Sequence, residues 1–424
     1  MFPTEIYDII VGFLAEEEDM DSMKAVALSH SAVLPSCRSH IFATLNLISP
    51  AAENGFSVKL ESIKKIFVNN PDLAFYVRIL YYEIQVVDHR SQPFHTILKT
   101  FSRVKTLTIL GITAGYRLDT NWRRMAASLR AGLTSIVTSP SLEKLHLHHV
   151  EAFPIKTLVA CPNLSHLTLK MSQFDKDELI SQDESPVSAL RLLSLAFGSY
   201  SSPNLQTLMD AKGPNGSIID FSHLVSLTYV EPSHRGALDS LLVQSRSLES
   251  LSTSALWHSG LTPTLCDAFV SLKGHNLKTL KTFETTIYVT GWIGLPALDP
   301  LFSLADKFPA DNTLERIEIK IIFDEHNLPP SQWPSNYMTK LNDFAIKHQF
   351  PALREVSLSM TLPKHQEWAP RFKSTLEKNR VQAFESLIET ERIAFHFAIK
   401  MEEKGEHFNS LLNLHSNINS YPAP

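Results

Sequence analysis

The chain has 424 residues, of which 44% are hydrophobic and 20% are charged. This composition is typical of a folded protein and excludes general disorder. Lys and Arg number 39 and Asp and Glu number 44, so the formal net charge is -5 at pH 7. A net acidic chain has no electrostatic footprint for nucleic acid or for an anionic membrane, so neither partner is expected.

Cysteine content and hydropathy indicate the cellular compartment. Cys37, Cys161 and Cys266 are too few and too far apart for a disulfide framework or a zinc motif. No apolar run approaches the roughly 18 residues that span a bilayer. Glu5 and Asp8 occupy the first turn, where a signal peptide would be basic. These features predict a cytoplasmic or nuclear protein.

The first 48 residues differ from the rest because they contain three short helical patterns. Apolar residues in the first pattern recur at i, i+3, i+4, i+7 and i+8 and form one stripe: Ile6, Ile9, Ile10, Phe13 and Leu14. A second pattern follows, and a third begins at Pro35 and ends near Phe42. Three helices of this length bury little surface alone, so we expect them to pack on the rest of the chain or on a partner.

Beyond Ser49 one motif, L-x-x-L-x-L, recurs along the chain. Five clear copies begin at Leu142, Leu164, Leu190, Leu314 and Leu353. Five looser copies begin at Val77, Val104, Leu224, Leu248 and Leu277. The mean interval of about 31 residues is long enough for a strand, a helix and two connections. The pattern predicts an α/β fold, an irregular leucine-rich-repeat solenoid with a horseshoe shape and about ten strands.

Helical spacing between the motifs agrees with this fold. It covers residues 122–137, 154–160, 238–244, 298–308 and 336–348. After the last motif, the charge-mixed run over residues 380–404 predicts an amphipathic helix that caps the final repeat. Four segments are therefore predicted: a helical module over residues 1–48, a repeat array over 49–379, a capping helix over 380–408 and a disordered tail over 409–424.

The helical module resembles the F-box, in the version common at the N-terminus of fungal proteins. The resemblance rests on Phe2-Pro3-x-Glu5-Ile6, Ile9-Ile10, Ala27-Leu28-Ser29-His30 and Leu34-Pro35-x-Cys37-Arg38-x-x-Ile41-Phe42. His30 stands where the family usually has Cys, and Val33 stands where it usually has Trp or Phe. The combination with downstream leucine-rich repeats makes the resemblance more specific.

The resemblance implies the substrate-recognition subunit of a Skp-cullin-F-box type ubiquitin ligase. In that family the F-box docks a Skp-type adaptor, and through it a cullin, while the repeats bind a protein substrate. By match to the motif, the adaptor contacts would be Phe2, Pro3, Ile6, Ile9, Ile10, Leu28, Leu34, Pro35 and Ile41. Two alternatives stay open: the helices only cap the first repeat, or the chain is a non-catalytic leucine-rich-repeat scaffold with no ubiquitin role. Nothing in the sequence indicates an enzyme or a cofactor.

Residues between the leucines of each motif share one face of the predicted sheet, because side chains alternate along a strand. Several of them are basic: Lys144, His146, His148, His166, Lys170, Arg316 and Lys320. Thr279 and Lys281 are assigned to the same face through the copy at Leu277. Basic patches of this kind suit an acidic or phosphorylated peptide. A solvated face without a ligand is the alternative.

Histidines at i and i+2 on one strand also raise the question of a metal site. His146 and His148 point the same way, and His166 lies on the next strand. No carboxylate or cysteine completes the set nearby. We therefore expect solvated histidines and no zinc.

Overall fold

The computed structural model describes most of the chain in fifteen stretches: residues 4–17, 19–48, 56–84, 92–111, 120–175, 189–198, 202–213, 216–230, 235–258, 272, 274–290, 308–323, 335–346, 350–390 and 392–402. The chain divides into two compact units. The first unit contains residues 1–190 and 210–219, and the second contains residues 191–209 and 220–424. Both are built from parallel strands and helices, so the protein is α/β, as predicted.

Three helices open the first unit and confirm the three predicted helical patterns. They are α1 (Thr4–Glu16), α2 (Met20–Ser29) and α3 (Leu34–Ile41). Side chains set the helix starts, because the first N-H groups of a helix lack backbone acceptors. The Asp19 carboxylate accepts a hydrogen bond from the Ser22 N-H at 3.0 Å at the start of α2. His30 Nδ1 accepts one from the Ala32 N-H at 3.1 Å in the 3-10 turn Ser31–Val33.

Five parallel strands follow in the first unit, and each pairs with the next one along the chain. They are β1 (Thr44–Leu47), β2 (Ile79–Glu83), β3 (Thr106–Leu110), β4 (Lys144–His148) and β5 (His166–Lys170). The connections contain four helices: α4 (Phe56–Asn69), α5 (Gln92–Leu98), α6 (Ala127–Val137) and α7 (Ile155–Val159). Shorter elements of the unit are Pro71–Tyr76, Trp122–Arg124, Phe153–Pro154, Phe174–Asp175, Lys212–Gly213 and Gly216–Ser217.

Seven parallel strands form the sheet of the second unit, again paired in chain order. They are β6 (Ser194–Phe197), β7 (Ser226–Val230), β8 (Ser250–His258), β9 (Thr282–Thr290), β10 (Arg316–Phe323), β11 (Glu355–Pro363) and β12 (Ala394–Glu402). The helices are α8 (Ser202–Asp210), α9 (Arg235–Gln244), α10 (Gly274–Thr279), α11 (Ser335–Ile346), α12 (Ala369–Ala383) and α13 (Glu385–Glu389). Short elements are Leu190–Arg191, Ile219–Asp220 and Phe221–His223.

The same backbone hydrogen bonds open strands in both units. The Lys105 carbonyl accepts from the N-H groups of Glu143 and Lys144, both at 2.9 Å. In the second unit the Glu249 carbonyl accepts from Lys281 at 2.8 Å and Thr282 at 2.9 Å. Parallel pairing of this kind fixes the register, so the apolar residues of the motif fall on the buried side of the sheet. The copy placed at Leu190 is corrected, because Leu193 is 43% exposed and the buried positions of that repeat are Leu192, Leu195 and Phe197. A strand begins within every copy of the motif except the one placed at Leu277, which confirms the predicted strands at those copies.

Hydroxyl groups connect consecutive motifs just before three of the strands. Thr279 Oγ1 donates to the Leu248 carbonyl at 2.8 Å. Thr313 Oγ1 donates to the Lys278 carbonyl at 2.8 Å, and Ser141 makes the same type of bond in the first unit. Each donor immediately precedes the first apolar residue of a motif. These bonds satisfy turn carbonyls that helix and sheet leave unpaired.

The structure corrects the motif that was placed at Leu277. Helix α10 extends to Thr279, and strand β9 begins at Thr282, so the motif starts at Leu280. The error arose because Leu277 and Leu280 are three residues apart and either one satisfies the first position of the motif. Thr279 and Lys281 therefore precede the strand and do not lie on its face.

The predicted capping helix is wrong over its second half. The chain forms α12 and α13 and then strand β12, which pairs with β11 over its full length of nine residues. Phe395, Phe397 and Ile399 alternate with polar or small residues, which is the period of a strand. Phe395 also packs on Phe384, with 4.6 Å between the ring centroids.

Strand β1 was not predicted either, because it lies inside the predicted helical module. The predicted tail and most of the predicted helix over 298–308 lie outside the described residues.

Candidate functional site

Helix α1 has two apolar faces with different surroundings. Val11 lies on the inner face and forms a buried cluster with Met23, Val33 and Cys37. Leu14, which belongs to the predicted apolar stripe, packs against this cluster. The inner face therefore holds the three helices together.

The outer face of α1 carries large apolar side chains that remain on the surface. They are Ile6, Ile9, Ile10 and Phe13, and α2 adds Leu28. Phe13 is 64% exposed and Leu28 is 89% exposed. Scattered apolar residues are common on protein surfaces, but several large ones on one short helix are typical of an interface.

The other predicted adaptor contacts have mixed environments. Pro35 is exposed and Leu34 is partly buried, so both retain accessible surface. Ile41 packs against the buried cluster, so its side chain contributes to packing inside the module. Phe2 and Pro3 lie outside the described residues.

The two residues that depart from the predicted F-box pattern, Val33 and His30, both make contacts inside the module. Val33 is buried between the helices, so its size matters for packing inside the module. The His30 ring stacks on Tyr7, with 5.9 Å between centroids and 16° between ring planes. His30 also accepts the Ala32 N-H, as described above. Neither residue adds to the outer face of α1.

A second candidate surface lies on strands β3 to β5 of the first unit. Strand register pairs His146 with Thr108 on one side and Thr168 on the other. Lys144 and His166 are paired with each other in the adjacent row. Because the alternate residues Leu145 and Leu147 are buried, these polar side chains share the opposite side of the sheet, as predicted.

Exposure differs sharply along this surface. Lys144 is exposed, and His146 and His166 are partly exposed. Lys170 is only 3% exposed, and His148 is also buried. The prediction that His148 and Lys170 contact a substrate directly is therefore corrected. Alternation along a strand determines the side of the sheet on which a residue lies, but it does not reveal what else covers that side.

The electrostatics of the surface centre on His146. Burial, followed by the charges of Lys170 and Lys144 and the neighbouring His166, lowers the pKa of His146 to about 4. Burial lowers the pKa of Lys170 to about 8, so this side chain still carries its charge at neutral pH. Burial and Lys144 also lower the pKa of His166, against an opposing effect of Glu143. His146 is thus a neutral imidazole in a positive field.

The basic patch predicted on the second unit is neutralised in the structure. Lys320 Nζ lies 2.7 Å from Glu284 Oε1 and 3.0 Å from Glu318 Oε1. Arg316 Nη2 lies 2.9 Å from Glu318 Oε2, and Arg316 Nε lies 3.4 Å from Glu355 Oε1. Three carboxylates therefore surround two cations. The prediction that Arg316 and Lys320 attract an acidic peptide is corrected.

Sequence reasoning placed Glu318 on the strand face but missed Glu284 and the ion pairs, for two reasons. Glu284 was lost when the motif was placed at Leu277, because the shift of three residues moved it off the strand face. Glu318 and Glu355 occupy face positions that alternation identifies, but their reach to neighbouring strands is not visible from one strand alone. Burial lowers the pKa of Lys320, but hydrogen bonds to Glu284 and Glu318 outweigh this effect and raise it overall.

Metal binding and thiol chemistry find no support in the described part of the chain. No group of three or more His, Cys, Asp or Glu residues is arranged there to hold a metal ion. Cys37 and Cys161 are buried. Burial raises the pKa of both thiols, that of Cys161 to about 11. Both are therefore protonated at neutral pH, and neither is an activated nucleophile.

Comparison with known proteins gives no assignment. No family model matches the sequence, and no curated protein matches it either. Of the helices that the structure describes, none combines the length and the apolar character needed to cross a membrane.

Proposed function

We propose that this chain is the substrate receptor of a Skp-cullin-F-box type ubiquitin ligase. Helices α1 to α3 form the module that docks the Skp-type adaptor, and the repeated strands bind a protein substrate. The observation that carries this proposal is the second apolar face of α1. Ile9 and Phe13 stay exposed although Val11, on the same helix, is fully buried.

The size of the exposed apolar surface supports an interface. Burying an exposed large apolar side chain contributes roughly 1.5–3 kcal/mol. Ile9, Phe13 and Leu28 together would therefore supply several kcal/mol on contact with a partner. Exposed charged residues, Glu5 and Asp8, border this face, and an apolar centre with a polar rim is typical of protein interfaces.

The arrangement of the module also supports docking. The three helices satisfy their own core through the buried cluster, so the outer face of α1 is not needed for internal packing. Strand β1 follows α3 directly, and the Ala43 carbonyl accepts hydrogen bonds from Arg78 at 2.8 Å and Ile79 at 2.9 Å. The module is thereby attached firmly to the first strands. A partner held by α1 would be held at a defined position relative to the strands of the first unit.

Co-purification of the full chain with a Skp-type adaptor and a cullin tests the proposal. The disruptive variant is Ile9→Asp with Ile10→Asp, which introduces two charges into a surface that the adaptor would desolvate. The matched control is Ile66→Asp with Val68→Asp, which makes the same chemical change at two similarly exposed residues of α4.

We expect wild type and the α4 control to recover adaptor and cullin, and the α1 variant to recover neither. Thermal unfolding of the free variants shows that each is folded. Adaptor binding by a folded α1 variant contradicts the proposed interface. If the wild type itself captures no adaptor, the ubiquitin role is wrong and a scaffold without that role takes its place.

A further inference from the structure

The surface around His146 combines positive charge, polar neighbours and partial access to solvent. Lys144 and His166 occupy paired positions in one row, and His146 lies two residues along the strand from Lys144. Neighbouring strands are roughly 4.8 Å apart, and residues i and i+2 are roughly 6.6 Å apart. The three side chains therefore leave the same side of the sheet within roughly 8 Å of one another, close enough to contact one carboxylate or phosphoryl group together.

A buried hydroxyl beside His146 is a second indication of a binding site. Thr108 is the register partner of His146 and is only 2% exposed. Its Oγ1 finds no hydrogen-bond partner among the described residues. A buried polar group without a partner is costly, and such groups often mark the site of a ligand or a water molecule.

We propose that Lys144, His146 and His166 form a binding site for one anionic group of a protein segment, and that the anion binds together with a proton taken up by His146. The proposal rests on the proposed function in one respect, which is that the segment belongs to the substrate. The anionic group is the carboxylate of an acidic side chain or the phosphoryl group of a modified one.

Proton uptake follows from the charges around the imidazole. In the free protein burial first, and then the charges of Lys170, Lys144 and His166, disfavour the protonated form of His146, while Glu143 acts on His166. A bound anion offsets this positive field and stabilises the imidazolium. The imidazolium in turn donates an additional charge-assisted hydrogen bond. Binding and protonation therefore strengthen each other.

The strand face of the second unit is less suited to binding an anion than the face around His146. Its cations Arg316 and Lys320 already contact three carboxylates. An incoming anion would have to displace these internal partners. The site in the first unit is thus the better of the two strand faces for an acidic segment.

The site is tested by calorimetric titration of the full chain with sulfate, at constant ionic strength set by sodium chloride. Sulfate mimics a phosphoryl group and keeps both charges between pH 5.5 and 7.5, so any pH dependence belongs to the protein. Acetate is titrated in parallel as the carboxylate probe. Each titration is repeated in two buffers of different ionisation enthalpy, which gives the number of protons taken up.

We expect saturable binding that strengthens by up to about tenfold for each pH unit below neutrality, with net proton uptake. Tighter binding of sulfate identifies a phosphoryl group as the ligand, and tighter binding of acetate identifies a carboxylate. Absence of saturable binding of both probes overturns the site. Binding without proton uptake overturns the role of His146.

Two variants and one control locate the site. Lys144→Ala removes one charge-assisted contact and should weaken sulfate by about tenfold at every pH. His146→Gln should abolish the proton uptake, and His146→Asn takes its place if the Gln variant does not fold. Lys99→Ala removes an exposed charge elsewhere in the first unit and should bind sulfate as wild type does. Equal weakening of sulfate binding in Lys144→Ala and Lys99→Ala would show that sulfate responds only to the overall charge of the protein, and it would contradict the site. No adaptor is present, so these outcomes are independent of adaptor docking.

Discussion

Lys320 of strand β10 reaches across to Glu284 of strand β9 and donates a 2.7 Å hydrogen bond to its carboxylate. The direct register partner of Lys320 is Thr286, so the contact runs diagonally between the strands. Glu318, on the same strand as Lys320, accepts a second contact at 3.0 Å. Lys320, which the sequence assigns to a basic patch, therefore bridges two neighbouring carboxylates.

The first prediction follows from that pairing. Replacing Lys320 by Ala leaves Glu284 and Glu318 close together without a compensating charge. We expect a loss of about 0.5–1 kcal/mol in the free energy of unfolding at low salt, because partly exposed ion pairs are screened by solvent. The loss should shrink at 1 M salt.

Urea unfolding at two salt concentrations measures this effect. Lys378→Ala is the control, since it removes an exposed lysine on α12. An equal change in both variants at both salt concentrations would show that the contact to Glu284 contributes nothing.

The second prediction concerns the hydroxyl bonds that precede the strands. Thr279→Val keeps the shape of the side chain but removes the donor to the Leu248 carbonyl. We expect a loss of about 1–2 kcal/mol in stability, because the carbonyl is left without that partner. Thr375→Val is the control, since its hydroxyl bonds within an exposed helix turn to Arg371. Denaturant midpoints that fall equally in both variants would contradict a special role for Thr279.

The third prediction concerns the core of the helical module. Val33 is 1% exposed and packs with Met23 and Cys37. Replacing Val33 by Trp, one of the residues usual at this position of the F-box, should destabilise the protein by about 1–3 kcal/mol through overpacking. Thermal unfolding provides the measurement. An unchanged or raised melting temperature would show that the larger ring finds room on the surface, where it would face a partner.

Much of the fold follows from the sequence because its main pattern is local. Leu145 and Leu147 alternate with polar residues, and this period of two is enough to place a strand and its buried side. The sequence is less informative where two patterns overlap. Leu277 and Leu280 both fit the first motif position, and only the helix end at Thr279 decides between them. The run from Ala394 fits a helix or a strand, and pairing with β11 decides it.

The candidate sites could be predicted only in part, because their properties depend on contacts between strands. Alternation places His146 and Lys170 on one side of the sheet, and register confirms this. Burial then separates them, since Lys170 is inaccessible and His146 is not. Likewise, the outer face of α1 is visible as a stripe that contains Ile9. The division of that helix between an inner and an outer face depends on the packing of Val11.

The last prediction is the pH dependence of stability that His146 imposes. The folded protein holds the pKa of His146 at about 4, whereas an unfolded chain has the ordinary value of about 6.5. Between these two values the unfolded chain binds a proton that the folded protein does not. The unfolded state is therefore favoured as the pH falls from 6.5 to 4, and up to about 3 kcal/mol of stability is lost across this window.

The variant His146→Gln cannot take up that proton, so its free energy of unfolding should fall less steeply with falling pH. Urea midpoints at pH 7.5, 6 and 5 measure the difference, with His40→Gln as the exposed control. If wild type and His146→Gln lose stability in parallel across these pH values, burial and the surrounding cations do not hold the imidazole in its neutral form.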